Sequence, residues 1–162
     1  MTKNNMRKEL YLLRHGEAES GYGMRDVERP LTDRGINDIT ALALQLKKQD
    51  FYPDHIYCST AKRTRQTCQI LIEQLDYSLP VDFRQEIYEA SVKTLFDLVC
   101  STNPNHHTVL VIGHNPGLSY LFDYFTKRFG NLGPGDMLKI AFENQEWVAV
   151  SKGTGMKQSL DF

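Results

Sequence analysis

The sequence predicts an α/β fold: a three-layer sandwich in which a mostly parallel central sheet carries helices on both faces. Short apolar runs alternate along the chain with segments whose apolar residues recur at helical spacing, which is typical of parallel strands joined by helices. The run Val109–Ile112 is apolar at every position, as expected of a strand covered on both faces. Since no repeat or linker divides the chain, we expect one domain over residues 1–162, with residues 1–8 loose.

The first half of the chain contains two predicted strand–helix pairs. Glu9–Arg14 is the first strand, and a helix within residues 30–49 follows it, with Thr32 as the N-cap. The apolar positions of this helix recur at helical spacing, and they are Ile36, Ile39, Ala43 and Leu46. Asp54–Ser59 is the second strand, and Ser59 or Thr60 is expected to cap the helix after it.

The second half repeats this alternation and then changes character. Pro80–Phe83 is a weak third strand, Ser91 caps a third helix, and Pro116 stands at the start of a fourth helix after the strand Val109–Ile112. Residues 138–152 form two alternating runs around Asn144 and Gln145, which predicts a hairpin or two late strands. The sequence "GNLGPGD" at 130–136 lacks the lysine and hydroxyl residue of a phosphate-binding P-loop and is interpreted as a turn.

Composition excludes several classes of protein. The formal net charge is −1, which gives the whole chain no general attraction for nucleic acids or membrane surfaces. No window contains the roughly 18 apolar residues that a membrane-spanning helix needs. The odd number of cysteines, without zinc-ligand spacing, indicates a reducing cytoplasmic setting and no metal site. These three cysteines are interpreted as small core residues, and they are Cys58, Cys68 and Cys100.

Charged side chains follow three of the predicted strands at the point where each strand ends. Arg14 and His15 end the first strand, the second leads into a helix that starts near Thr60 and carries Lys62, Arg63 and Arg65, and His114 follows the fourth. The carboxyl ends of parallel strands meet at one edge of a sheet, which is where ligands bind in such folds. Gly16 lets the chain turn after the first strand, so that Arg14 and His15 can face one site.

This set of side chains is suited to phosphoryl transfer without a metal or any other cofactor. Arginines bind tetrahedral anions through a planar, permanently charged fork. A neutral imidazole can attack phosphorus, and a second histidine can donate hydrogen bonds to the phosphoryl oxygens while their charge redistributes. Arg14, His15 and His114, with a basic residue after the second strand, are therefore the candidate catalytic and phosphate-binding residues.

Four segments in order, "LRHGEA", "RPLTDRG", "STAKRTRQT" and "VIGHNPGL", resemble the histidine phosphatase superfamily, and the compact length resembles its SixA-type phosphohistidine phosphatases. The resemblance spans about Leu10 to Leu121. It implies a phosphoglycerate mutase-like fold in which His15 is the nucleophile and becomes transiently phosphorylated. It also implies that Arg14, Arg63 and His114 hold the phosphoryl oxygens.

The resemblance leaves the general acid open. Relatives usually place a carboxylate after the third strand, where "EIYEAS" offers Glu89 and, as a poorer choice, Glu86. Glu17, close to the nucleophile in sequence, is a further candidate. An imidazole leaving group, with a pKa of roughly 6.5, can also depart without strong acid help, which favours a phosphohistidine substrate.

We therefore expect a phosphatase that removes phosphate from protein phosphohistidine, as on phosphotransfer domains of signalling proteins. Only about fifty residues separate Arg63 from His114, so little chain is left to cover the site, and a protein side chain could reach it. A small-molecule phosphomonoesterase with the same site and a phosphate-binding interaction module without catalysis are the alternatives.

Overall fold

The computed structural model describes residues 7–162 and confirms the predicted three-layer α/β sandwich. Among these residues, six strands form one sheet in the order β3-β2-β4-β1-β5-β6. The strands are β1 (Arg7–Arg14), β2 (His55–Ser59), β3 (Asp82–Arg84), β4 (Thr108–Gly113), β5 (Met137–Glu143) and β6 (Met156–Gln158). The helices are α1 (Asp33–Lys48), α2 (Lys62–Gln74), α3 (Val92–Cys100) and α4 (Gly117–Thr126).

The first four strands run parallel, while β5 and β6 are antiparallel to their neighbours. In β1, Leu10 and Leu12 pack on one face of the sheet with α3 and α4, and Tyr11 and Leu13 pack on the other face with α1 and α2. Successive side chains of a strand point to opposite faces, so a strand between two helical layers must be apolar at every position. In the described part of the chain, no helix is both long enough and apolar enough to span a membrane.

The N-terminal prediction is wrong in part. Arg7 and Lys8 belong to β1, and Lys8 is buried, with its ammonium group donating to the carbonyls of Pro104 and His106. The predicted looseness therefore does not hold for these two residues, and residues 1–6 lie outside the described part of the chain.

Two of the predicted helix caps are confirmed and one is wrong. Thr32 accepts a hydrogen bond from the amide of Gly35, and Ser91 accepts one from the amide of Thr94. Helix α2 instead begins after Ala61, which has no side chain for capping. The Ser59 hydroxyl instead lies 2.8 Å from a histidine nitrogen and accepts a long hydrogen bond of 3.4 Å from the amide of Ala61, before the helix begins.

The first turn of α1 departs from the predicted apolar stripe because Gly35, rather than Ile36, faces inward. Ile36 is exposed, whereas Ile39, Ala43 and Leu46 are buried as predicted. A Cβ atom on Gly35 would lie 2.2 Å from the carbonyl oxygen of Glu17. Only glycine permits this backbone contact, which fixes the start of α1 against the segment that follows β1.

The predicted pairing of the two late runs is wrong. The first run forms β5, but the second contains the short 3-10 turn Trp147–Ala149, and the partner strand β6 comes later in the chain. Trp147 is buried in the α3–α4 layer, and its indole N–H donates to the carbonyl of His106 at 2.7 Å. Burial of this one large side chain draws the second run away from the sheet.

Candidate active site

The four predicted site residues meet at the carboxyl end of the parallel strands. Arg14 of β1 lies opposite Gly113 of β4 in the register, so His15 and His114 follow adjacent strands at the same level. Their imidazole centroids are 5.3 Å apart. Arg63, in the first turn of α2, contacts both rings.

His15 has a fixed tautomer. Its Nδ1 lies 2.7 Å from the carbonyl oxygen of Gly16, and a carbonyl can only accept, so Nδ1 carries the hydrogen. Its Nε2 accepts a hydrogen bond of 3.2 Å from Nε of Arg63, so the lone pair on Nε2 faces the cationic side chain. Nε2 is therefore the nitrogen of His15 that can act as a nucleophile.

The arginine that holds His15 is itself almost fully engaged. Arg63 is 5% exposed, and it donates from Nη1 to the Asp26 carbonyl at 2.7 Å and from Nη2 to the Asp26 carboxylate at 3.1 Å. Its Nη2 also lies 3.3 Å from Nδ1 of His114. Because a guanidinium group can only donate, Nδ1 of His114 is an acceptor in this arrangement.

The second histidine is held from its other side by Ser59. Nε2 of His114 lies 2.8 Å from the Ser59 hydroxyl, and the ring packs edge-on against Tyr88 at a centroid distance of 5.3 Å. With Nδ1 accepting from Arg63, the Nε2–H of His114 donates to Ser59. A hydroxyl group can donate as well as accept, so Ser59 can support either tautomer of His114.

Burial keeps both histidines neutral. Burial, opposed by the Gly16 carbonyl and assisted by the positive charges of Arg63 and Arg14, lowers the pKa of His15 to about 4. Burial, together with the neighbouring His15 and Arg63, lowers the pKa of His114 to about 3. At neutral pH the lone pair of His15 is therefore available for attack.

The turn formed by residues 130–136 holds the side chain of Arg14, the second arginine of the site. Nη1 of Arg14 donates to the carbonyl of Leu132 at 3.0 Å, and the same oxygen accepts from the side-chain amide of Asn115 at 2.6 Å. Gly135 has a φ of 79°, and its amide donates to the backbone carbonyls of Arg14 and His15. The predicted turn thus holds the backbone and the side chain at the end of β1.

Four residues at the site were not predicted from the sequence. Ser59 and Tyr88 contact His114, and Asp26 binds Arg63. The hydroxyl of Thr67 accepts from the amide of Gly16 and donates to the carbonyl of Arg63, which ties the two chain segments together. Sequence offers a weak signal for Asp26 only, since it lies three residues before Arg29 in the loop that precedes α1.

The candidate acids lie apart from the four central side chains. Glu89 is exposed with a φ of 48°, and Glu86 pairs with Arg84 at 3.3 Å. The carboxylate of Glu17 accepts from the Thr32 hydroxyl at the start of α1. Among residues 7–162, none of these carboxylates makes a hydrogen bond or ion pair with Arg14, His15, Arg63 or His114.

The lowered histidine pKa values predict how stability depends on pH. An unfolded histidine binds a proton near pH 6.5, whereas folded His15 and His114 do so only near pH 4 and pH 3. The unfolded state then binds more protons, so the free energy of unfolding is expected to fall as the pH drops from 6.5 toward 4. Urea titrations should give a smaller decrease for His15→Gln than for the wild type, while His107→Gln, at an exposed site, should match the wild type. An equal decrease in all three proteins would contradict the burial argument.

Comparison with known proteins agrees with this geometry. The family model described as "Histidine phosphatase superfamily (branch 1)" matches residues 10–98, more than half of the chain. An uncharacterized protein of Mycobacterium tuberculosis is 30% identical over 109 residues, which span 67% of this chain and 66% of that protein. The chain thus covers about two thirds of the length of this curated relative.

Two solved structures illustrate the range of relatives. A protein of Nakamurella multipartitia, assigned provisionally as the phosphohistidine phosphatase SixA, has a TM-score of 0.77 at 27% identity, over 96% of each chain. The mycobacterial glucosyl-3-phosphoglycerate phosphatase has a TM-score of 0.72 at 13% identity, over 96% of this chain and 99% of that one. The second similarity is one of fold alone.

Proposed function

The chain belongs to the histidine phosphatase superfamily, and from this premise we propose that it is a phosphatase that acts on protein phosphohistidine through a phosphorylated His15. One observation carries the proposal: the lone pair on Nε2 of the neutral His15 lies between Arg63 and His114, at an edge of the sheet. Three thiols without a disulfide fit a reaction in the reducing cytoplasm.

The proposed reaction has two displacements at phosphorus. In the first, Nε2 of His15 forms a bond to phosphorus while the bond to the imidazole of the substrate breaks. That ring, protonated on its other nitrogen, keeps the electron pair of the broken bond and leaves as neutral imidazole. In the second, water attacks the phosphoryl group on His15, the N–P bond breaks, and its electron pair returns to Nε2. The protons of the attacking water leave with inorganic phosphate or pass to solvent.

The Nε–H group of Arg63 can change its acceptor during the first displacement. Its Nε–H donates to the lone pair of Nε2 before the reaction, and that lone pair is consumed when the bond to phosphorus forms. The same N–H is then free to donate to a phosphoryl oxygen beside it. Donors that are already in place where negative charge develops stabilise a transition state strongly, because they need not reorganise.

His114 requires a change of tautomer to assist. Nδ1 of this residue accepts from Arg63 in the free protein, so donation to a phosphoryl oxygen requires the hydrogen on Nδ1 and a lone pair on Nε2. The Ser59 hydroxyl can then reverse its hydrogen bond and donate to Nε2. A neutral His114, with its low pKa, allows this exchange without the cost of a buried cation.

Two features support phosphohistidine as the substrate class. In the described part of the chain, the carboxylates predicted as acids make no hydrogen bond or ion pair with the four central side chains. An imidazole leaves with little acid help, whereas an alkoxide needs a proton. The chain between Arg63 and His114 is spent on the rest of α2, on β3, α3 and β4 and on short connections. Besides these it contains the single 3-10 turn Gln85–Ile87, and it has no further α-helix or strand that could enclose a small molecule.

The test offers the full chain a phosphohistidine-bearing phosphotransfer protein and a panel of phosphate monoesters, and it measures the phosphate released. We expect faster release from phosphohistidine. Release from the esters alone would favour the alternative of a small-molecule phosphomonoesterase with the same site. Phosphate binding without release from any substrate would indicate a binding module.

Substitution of Glu89 separates the two substrate classes further. Glu89→Gln is expected to leave phosphohistidine turnover within about 2-fold of the wild type, because an imidazole leaves with little acid help. A slower reaction with alkyl esters would identify Glu89 as the acid for that substrate class. Glu86→Gln, which changes an exposed carboxylate three residues earlier, tests the second candidate acid in the same assay. Unchanged rates on alkyl esters would remove Glu89 as the acid, and slower phosphohistidine turnover would contradict the leaving-group argument.

A further inference from the structure

The Asp26 side chain joins three segments beside the proposed phosphate site. Its carboxylate accepts from Nη2 of Arg63 at 3.1 Å, from Nη1 of Arg29 at 2.9 Å and from the hydroxyl of Tyr88. The hydrogen bond from Tyr88, followed by those from Arg29 and Arg63, holds the pKa of Asp26 well below its usual range. Asp26 is therefore ionised and anchored from three directions, although its side chain is 43% exposed.

The hydrogen-bond partners of Arg63 lie along two edges of its planar guanidinium group. Both terminal nitrogens, Nη1 and Nη2, donate to Asp26, one to its carbonyl and one to its carboxylate. Nε and the second hydrogen of Nη2 donate to the facing nitrogens of His15 and His114. Asp26 thus binds the end edge of the planar group, and the side edge is directed between the two histidines, where the phosphoryl group is expected.

We propose that Asp26 is a positioning residue, which fixes the plane and rotation of the Arg63 guanidinium so that its Nε–Nη2 edge receives the phosphoryl group. This inference rests on the proposed function, because it assigns Asp26 to the same site. Four of the five N–H groups of Arg63 have partners, and two of the four point to Asp26. Without the carboxylate, Nη2 loses its partner on the end edge, and the side edge can turn away from the histidines.

The test measures the binding of inorganic phosphate by calorimetry and turnover of the best substrate found for the wild type. Asp26→Ala keeps the backbone carbonyl but removes the carboxylate, and we expect phosphate binding about 10-fold weaker and kcat on the order of 10²-fold lower. Asp26→Asn retains one acceptor oxygen, so its phosphate affinity and kcat are expected to lie between those of Asp26→Ala and the wild type. Glu28→Gln removes the same charge from the same 3-10 turn, Asp26–Glu28, where Glu28 pairs with exposed Arg25, and it should match the wild type.

A double-mutant cycle separates positioning from a general effect on folding. If Asp26 acts through Arg63, Asp26→Ala should cost less than about 3-fold in phosphate affinity once Arg63→Lys is present. Equal losses in both backgrounds, or tighter phosphate binding by Asp26→Ala, would overturn the inference, the latter because Asp26 would then compete with phosphate. Absence of phosphate binding by the wild type would overturn the proposed function as well, whereas normal binding and turnover by Asp26→Ala would overturn the inference alone.

Discussion

His15→Ala is expected to lower turnover on the order of 10⁴-fold or more and to abolish the covalent phosphoenzyme. The expectation follows from geometry, since Nε2 of His15 is the nitrogen whose lone pair lies between Arg63 and His114, with Nδ1 held by the Gly16 carbonyl. The measurement is a rapid quench into alkaline denaturant followed by mass spectrometry of the peptide that contains residue 15.

The control for this experiment is His107→Ala. His107 is exposed and directly precedes β4, at the opposite end of that strand from His114, so its loss should leave both the rate and the phosphoenzyme unchanged. Turnover by His15→Ala at the wild-type rate would refute the nucleophilic mechanism. A phosphoryl group found on another residue of the wild type would move the nucleophile elsewhere.

The position of the site was predictable because it depends on local pattern and on one rule of topology. The runs before Arg14 and His114 are apolar at every position, which identifies them as strands covered on both faces. Their register places Arg14 opposite Gly113, as the meeting of carboxyl ends at one edge of the sheet predicts. Helix capping by Thr32 and Ser91 was likewise a local property.

The supporting residues were not predictable because their roles depend on contacts between distant segments. Ser59 reaches His114 across the sheet instead of capping α2, and Asp26 meets Tyr88 from a segment 62 residues away. Trp147 is drawn under α3 and α4, which prevents the pairing that its alternating pattern suggests. Each of these contacts satisfies a buried or charged group, and no periodicity in the sequence records it.

Arg63→Lys is expected to reduce kcat/KM by about 10²- to 10³-fold although it keeps the positive charge. Arg63 holds four partners with three nitrogens in one plane: Nε2 of His15, Nδ1 of His114, and the carbonyl and carboxylate of Asp26. A lysine ammonium group has one nitrogen at the end of a flexible chain and cannot reach acceptors on two edges. The loss should appear mainly in kcat, because the Nε–H that is freed during attack serves the transition state.

Arg65→Lys is the matched control for charge and for helix α2. Arg65 is exposed two residues further along the helix and donates from Nε to the carbonyl of Thr60, away from the two histidines. We expect this variant to keep kcat/KM within about 2-fold of the wild type, because a surface cation contributes little to a buried site. Equal activity of Arg63→Lys and Arg65→Lys in steady-state assays would mean that positive charge alone suffices at position 63. A selective loss in Arg63→Lys would instead assign the effect to the planar fork, whose side edge faces the histidines and whose end edge is held by Asp26.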